Sequence, residues 1–247
     1  MPMYQLSYFS YSNAVEGYQA YDTELDHFNV TCEPLRKLNL TCNATRQQLS
    51  AVQSKQIFQL IDAITAGINE EKDRKARAAL LLQRAVAYSE AQNYSDAISD
   101  LDDYLSVDTA SAMGHWERAV CQQLLNSYEA SKGTKTAMKL SQVEGDFAVA
   151  IQLQPKNAYT YYNRGNLFAA EKNYTRAIAD YTLAISLDPN MAQAYYNRAV
   201  AHFYSGDIKS AQSDLSHAGE LGLYNAYALS KKMSEAQPKK KQSQAKK

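Results

Sequence analysis

Four arginine-led pairs set the period of this chain: Arg84-Ala85, Arg118-Ala119, Arg164-Gly165 and Arg198-Ala199. Their spacings are 34, 46 and 34 residues, the middle value being 34 plus an insertion of 12. A fixed period of this length means that one supersecondary unit recurs, and such units bury their apolar faces by stacking on their neighbours. The copies begin near Ala78, Ala112, Ala158 and Ala192. Five prolines and nine glycines in 247 residues, among many alanines, favour helices over strands within each copy.

The clearest copy is AYTYYNRGNLFAAEKNYTRAIADYTLAISLDPN. With Ala158 as position 1, Tyr161 falls at 4, Gly165 at 8, Phe168 at 11, Ala177 at 20, Tyr181 at 24, Ala184 at 27 and Pro189 at 32. Two antiparallel helices approach closely only where small residues meet, so Gly165 and Ala177 are expected to touch, as are Ala199 and Ala211. Tyr181 and Leu215 are expected to fill the wider gap beside them. Pro189 cannot continue a helix and marks the turn to the next copy. This set of residues, at this period, resembles the tetratricopeptide repeat (TPR), with a further similarity to bacterial multi-repeat proteins in YYNRAVAHFYSGDIKSAQSDLSHAGELG. The resemblance spans about Ala78 to Leu223. It implies an all-α fold, a right-handed superhelical solenoid of antiparallel helix pairs.

The copies depart from the pattern in places. His115 and His202 stand where large aromatics are usual, Val143 replaces the small residue at position 20 of the second copy, and Leu223 replaces the terminal proline of the fourth. The extra residues lie around Asn126 to Ala137 and read as a longer loop or as extended helix ends. Position 7 is arginine in every copy (Arg84, Arg118, Arg164, Arg198) and position 23 is aspartate (Asp100, Asp146, Asp180, Asp214). These positions lie at similar heights in a hairpin, which predicts a ladder of arginine–aspartate pairs within or between repeats.

Domain organisation follows from the same register: an unassigned helical and loop segment over 1–45, a long packing helix or degenerate repeat over 46–77, and repeats at 78–111, 112–157 with the insertion, 158–191 and 192–223. A capping helix is expected over 224–236 and a disordered basic tail over 237–247. The long helix carries Leu49, Val52, Ile57, Leu60, Ile61, Ile64 and Ile68 at helical spacing, and Tyr11 to Phe28 shows similar character. Cys32, Cys42 and Cys121 do not make a metal or disulfide framework, although Cys32 and Cys42 could pair in an oxidising compartment. Cys121 reads as core.

Lysine plus arginine equal aspartate plus glutamate at 26 each, so nothing general points to nucleic acid. There is no long apolar run of transmembrane type, and MPMYQLSYFSYSNAVEGY lacks the features of a signal peptide. The expectation is a soluble protein, cytoplasmic if the chain is complete and periplasmic or envelope-associated if a targeting segment precedes it. No nucleotide loop, G-x-S-x-G or H-E-x-x-H occurs, so neither an enzyme nor a bound cofactor or metal is expected. The acidic cluster Asp100, Asp102 and Asp103 lacks the turn of a calcium loop and reads as a solvated helix face. His202 reads as a helix contact.

The TPR resemblance also implies that positions 2, 5, 9 and 12 of each first helix face a concave groove. They are Ala79, Leu82, Val86 and Ser89; Met113, Trp116, Val120 and Gln123; Tyr159, Tyr162, Asn166 and Ala169; and Gln193, Tyr196, Val200 and Phe203. The groove is thus expected to be aromatic and nearly uncharged. Trp116, Tyr159, Tyr162, Asn166, Tyr196 and Phe203 are its candidate binding residues for a peptide or partner helix. A two-lysine carboxylate clamp is not matched, since Tyr162, Asn166, Asn197, Tyr227 and Lys231 supply only the asparagines and one lysine. The leading reading is a protein-interaction scaffold; its rival is a structural segment packed permanently within a larger envelope or secretion assembly.

Overall fold

The computed structural model describes residues 51–133 and 140–235. Ten helices account for nearly all of them. A long helix α1 (Ala51–Glu70) precedes four pairs: α2 (Arg74–Glu90) with α3 (Tyr94–Leu105), α4 (Ala112–Ser131) with α5 (Leu140–Leu153), α6 (Ala158–Ala170) with α7 (Tyr174–Leu187), and α8 (Ala192–Ser205) with α9 (Ile208–Glu220). Helix α10 (Asn225–Glu235) closes the stack on α9. Each helix packs mainly on its neighbours in sequence, the contact pattern of a solenoid. The expectations for residues 1–50, among them the Tyr11–Phe28 helix and the Cys32–Cys42 pairing, fall outside the described residues, as does the basic tail.

Short polar side chains start the helices. Asp73 Oδ1 accepts the Ala76 amide at 2.8 Å, Ser111 Oγ the Gly114 amide at 3.0 Å, and Asn157 Oδ1 the Tyr159 amide at 3.0 Å. The hairpin turns reuse one position. Position 15 of the first, third and fourth repeats is left-handed: Gln92 at φ 61°, Lys172 at φ 59° and Gly206 at φ 92°. Position 15 of the second repeat, Asn126, lies inside a helix instead, because α4 runs on to Ser131. Of the two forms left open for the insertion, the extended helix is seen here; residues 134–139 lie outside the description.

The arginine–aspartate ladder is present and closes within each repeat. Arg84 grips Asp100 through Nε and Nη2 at 2.7 Å each, and Arg118 grips Asp146 at 2.8 and 2.6 Å. Arg164 holds Asp180 at 2.8 Å through both nitrogens, and Arg198 holds Asp214 at 2.8 and 2.7 Å. The carboxylates are buried while the guanidinium groups keep an edge in solvent, a geometry suited to a bidentate pair.

The remaining arginine donor, Nη1, reaches back to the preceding helix. Arg118 meets Asp102 at 2.7 Å and Arg198 meets Thr182 Oγ1 at 3.1 Å, both acceptors at position 25 of the preceding repeat. Arg84 meets Thr65 Oγ1 of α1 at 3.0 Å in the same manner. Helix α1 thus supplies an acceptor to Arg84 as the second helices supply acceptors to Arg118 and Arg198. Position 25 of the second repeat is Ala148, which cannot accept, and there the Glu144–Arg176 ion pair joins α5 to α7 instead. Asp100 is buried and ion-paired, which corrects the solvated-face reading for that residue, while Asp102 and Asp103 are exposed as expected.

Steric matching sets the spacing inside the pairs. A Cβ on Gly165 would lie 2.7 Å from Tyr181 Cε1, so the glycine makes room for a tyrosine ring rather than only for Ala177. The other repeats place Ala85, Ala119 and Ala199 at that position, with Leu101, Phe147 and Leu215 at the position of Tyr181. Gly114 does the same for Tyr104, whose Cε1 would lie 2.7 Å from an added Cβ. The core divides in two: one cluster runs from Ile57 to Ala201, and a smaller one joins Ala199, Val200, Leu215, Leu229 and Met233 across α8, α9 and α10.

Candidate functional site

The six candidate residues sit on α4, α6 and α8, the first helices of the second, third and fourth pairs. Their accessibility is uneven. Trp116 is 1% exposed, Tyr159 8%, Tyr162 0% and Asn166 0%. Tyr196 and Phe203 are half-buried. The expected open aromatic groove is therefore not what the candidates of the second and third repeats present; among the six, accessible aromatic surface lies in the fourth repeat.

Burial of the polar members has an identifiable cause. Asn197 Nδ2 donates to Tyr162 Oη and to Asn166 Oδ1, each at 2.8 Å. The Tyr181 hydroxyl donates to the same Asn166 oxygen at 2.7 Å. This network ties α6, α7 and α8 together at one point and satisfies polar atoms that would otherwise be costly to bury. The rings of Tyr162 and Tyr181 meet at 5.9 Å between centroids, adding a tilted aromatic contact. Asn163, Asn166 and Asn197 are fully buried in helix interiors, where asparagine is a poor choice on propensity alone. That mismatch is the available sequence signal for the network, and of the three asparagines only Asn166 belongs to the candidate binding set.

The apolar wall continues through the earlier repeats. Leu82, Val86, Met113, Trp116 and Val120 are all buried and belong to the larger core cluster. In the fourth repeat the wall changes character: Val200 is buried, while Tyr196, Phe203 and Tyr204 pack on the smaller cluster with part of each ring accessible. Tyr204 stacks on Tyr174 at 5.5 Å and meets Phe203 edge-on at 5.6 Å, which holds these rings in fixed orientations.

Titratable groups near this face are few. Cys121 is fully buried, and burial pushes its thiol up, so it is an inert core residue. Burial pushes the Asp146 carboxyl upward, but hydrogen bonds from His115 and Arg118 outweigh that and hold it below the usual range. His202 lies 3.7 Å from Asp207 and 4.0 Å from Asp214, beside the fourth rung. No helix among the described residues is long and apolar enough to cross a membrane.

Residues 158–191 match the family model of the tetratricopeptide repeat. Among solved structures, a MamA crystal structure is 19% identical, with 73% of this chain and 99% of that chain covered and a TM-score of 0.58. MamA 41-end from Desulfovibrio magneticus RS-1 is 15% identical, with 81% and 96% covered and a TM-score of 0.58. A tetratricopeptide repeat protein from Parabacteroides merdae ATCC 43184 is 15% identical, with 85% and 74% covered and a TM-score of 0.61.

The architecture these share with the chain is the all-α solenoid of helix pairs. Residues 158–191 are thus a tetratricopeptide repeat, set within a solenoid of similar helix pairs.

Proposed function

We propose that this chain recognises a polypeptide partner on the face formed by the first helices of its repeats, and that the partner engages first at the fourth repeat. The observation that carries this reading is the contrast within the candidate set. Tyr196 and Phe203 keep part of their rings accessible beside buried Val200, whereas Trp116, Tyr159 and Tyr162 are shielded. Aromatic rings held rigidly and half-covered supply contact area at little cost in rotamer entropy. The face carries almost no charge, so an extended peptide or an amphipathic helix with apolar anchors suits it better than an acidic or basic ligand.

Affinity capture with the wild type, Tyr196→Ala, Phe203→Ala and a control at the exposed Leu183 of α7 tests this. The expected result is that one set of partners is lost in the first two variants and retained with Leu183→Ala. The same partners from all four proteins would reject recognition on this face.

A second reading draws on the buried part of the wall. Side chains as large as Trp116 and Tyr162 at 1% and 0% exposure are not offered to a passing ligand. That favours a structural segment whose groove face is permanently packed. Under it, the Tyr196 and Phe203 variants change the chain's stability rather than its partners.

A further inference from the structure

The second rung of the ladder differs from the other three. Position 4 holds Leu81, Tyr161 and Tyr195 in the other repeats and His115 here. His115 Nδ1 lies 2.8 Å from Asp146 Oδ1, and Nε2 lies 3.2 Å from the carbonyl oxygen of Thr109 in the loop that joins α3 to α4. Both partners only accept hydrogen bonds. One is a carboxylate already gripped by two Arg118 donors, the other a backbone carbonyl. A neutral imidazole has a single N–H, so one of its nitrogens would turn a lone pair toward an oxygen. The imidazolium donates to both.

The surrounding charge agrees. Arg118 lies between Asp146 on α5 and Asp102 on α3, one cation between two carboxylates. A protonated His115 brings this group of four to balance; a neutral one leaves it one negative charge in excess. The hydrogen bond to Asp146 raises the imidazole above its ordinary value, against burial and the Arg118 charge.

We propose that His115 is a proton-operated latch on the seam between the first and second repeats: charged, it fastens both the Thr109 carbonyl and the Asp146 carboxylate to α4, and neutral, it releases one of them. The second pair is also the one whose α4–α5 connection is lengthened by the insertion, and the His115–Asp146 contact ties those two helices. A histidine raised in the folded state stabilises fully below its unfolded value of about 6.5. That contribution is lost as pH rises through the folded value, which lies higher.

Long-range nitrogen–proton NMR of the histidine rings in the full chain, run from acid to alkaline pH, provides the test. His115→Gln and His115→Tyr serve as controls; the second installs the residue type found at Tyr161 and Tyr195. The His115 signals are those missing from both variants, which separates them from His27, His202 and His217. The expected result is a His115 ring protonated at both nitrogens up to a midpoint above 6.5. Amide exchange of the Thr109–Gly114 segment, corrected for its intrinsic pH dependence, should rise through the same midpoint in the wild type and stay flat in both variants. A midpoint at or below 6.5, or segment exchange that follows the same course in the variants, would overturn the latch.

Discussion

The third and fourth repeats share a backbone plan and an identical ion-pair rung, yet they use their first helices differently. In the third, Tyr162 and Asn166 are sunk in the α6–α7–α8 network, and Tyr162 belongs to the large core. In the fourth, Tyr196 and Phe203 lie on a small, alanine-rich cluster and remain half-accessible. The rung sets the geometry of a pair without deciding what its outer face does. That choice is made by a few side chains: a buried amide partner such as Asn197 converts an aromatic from surface to core. In a stack held by nearest-neighbour contacts, the repeat with the smaller core is also the one that opens most readily.

The contrast breaks first under truncation. Tyr162→Ala removes a fully buried ring and its hydroxyl bond, and should cost about 3–5 kcal/mol in denaturant unfolding. Tyr196→Ala should cost about 1 kcal/mol, within the range of an ordinary substitution. Comparable losses from the two would erase the distinction between wall and contact surface.

Steric matching offers a sharper test. Gly165→Ala should cost about 1–3 kcal/mol, because the added methyl meets the fully buried Tyr181 ring at 2.7 Å. Combining it with Tyr181→Leu reproduces the Ala199 and Leu215 pairing of the fourth repeat. The double variant should be more stable than the sum of the single losses implies. Simple additivity in a double-mutant cycle would mean that glycine and tyrosine are not matched.

The smallest expected effect lies at the turns. Lys172 takes a left-handed conformation that Gly206 adopts without strain in the fourth repeat. Lys172→Gly should therefore stabilise by about 1 kcal/mol, and Gly206→Ala should destabilise by a similar amount. A shift in melting temperature of the same sign for both would contradict the equivalence of the two turns.

Much of the fold was legible because it is periodic. The arginine–aspartate register could be read from four copies, and each pair closes as the shared hairpin height predicts. The lengthened α4 was one of two readings, since an insertion of 12 residues says how much chain is added and not what form it takes. The left-handed turns at Gln92 and Lys172 were not readable, because neither residue type signals a positive φ. The candidate site was legible only as a list of positions. Helical register says which residues share a face, but exposure depends on what packs over that face and on polar partners far away in sequence. Asn197, which lies 31 residues from Asn166 and 35 from Tyr162, is such a partner.

A photo-cross-linking side chain placed at Phe203 on α8, compared with one at Leu183 on α7, tests recognition at the fourth repeat most directly. The account predicts covalent capture of a polypeptide from position 203 and none of that species from position 183. Equal capture at both positions, or capture at 183 alone, would contradict it.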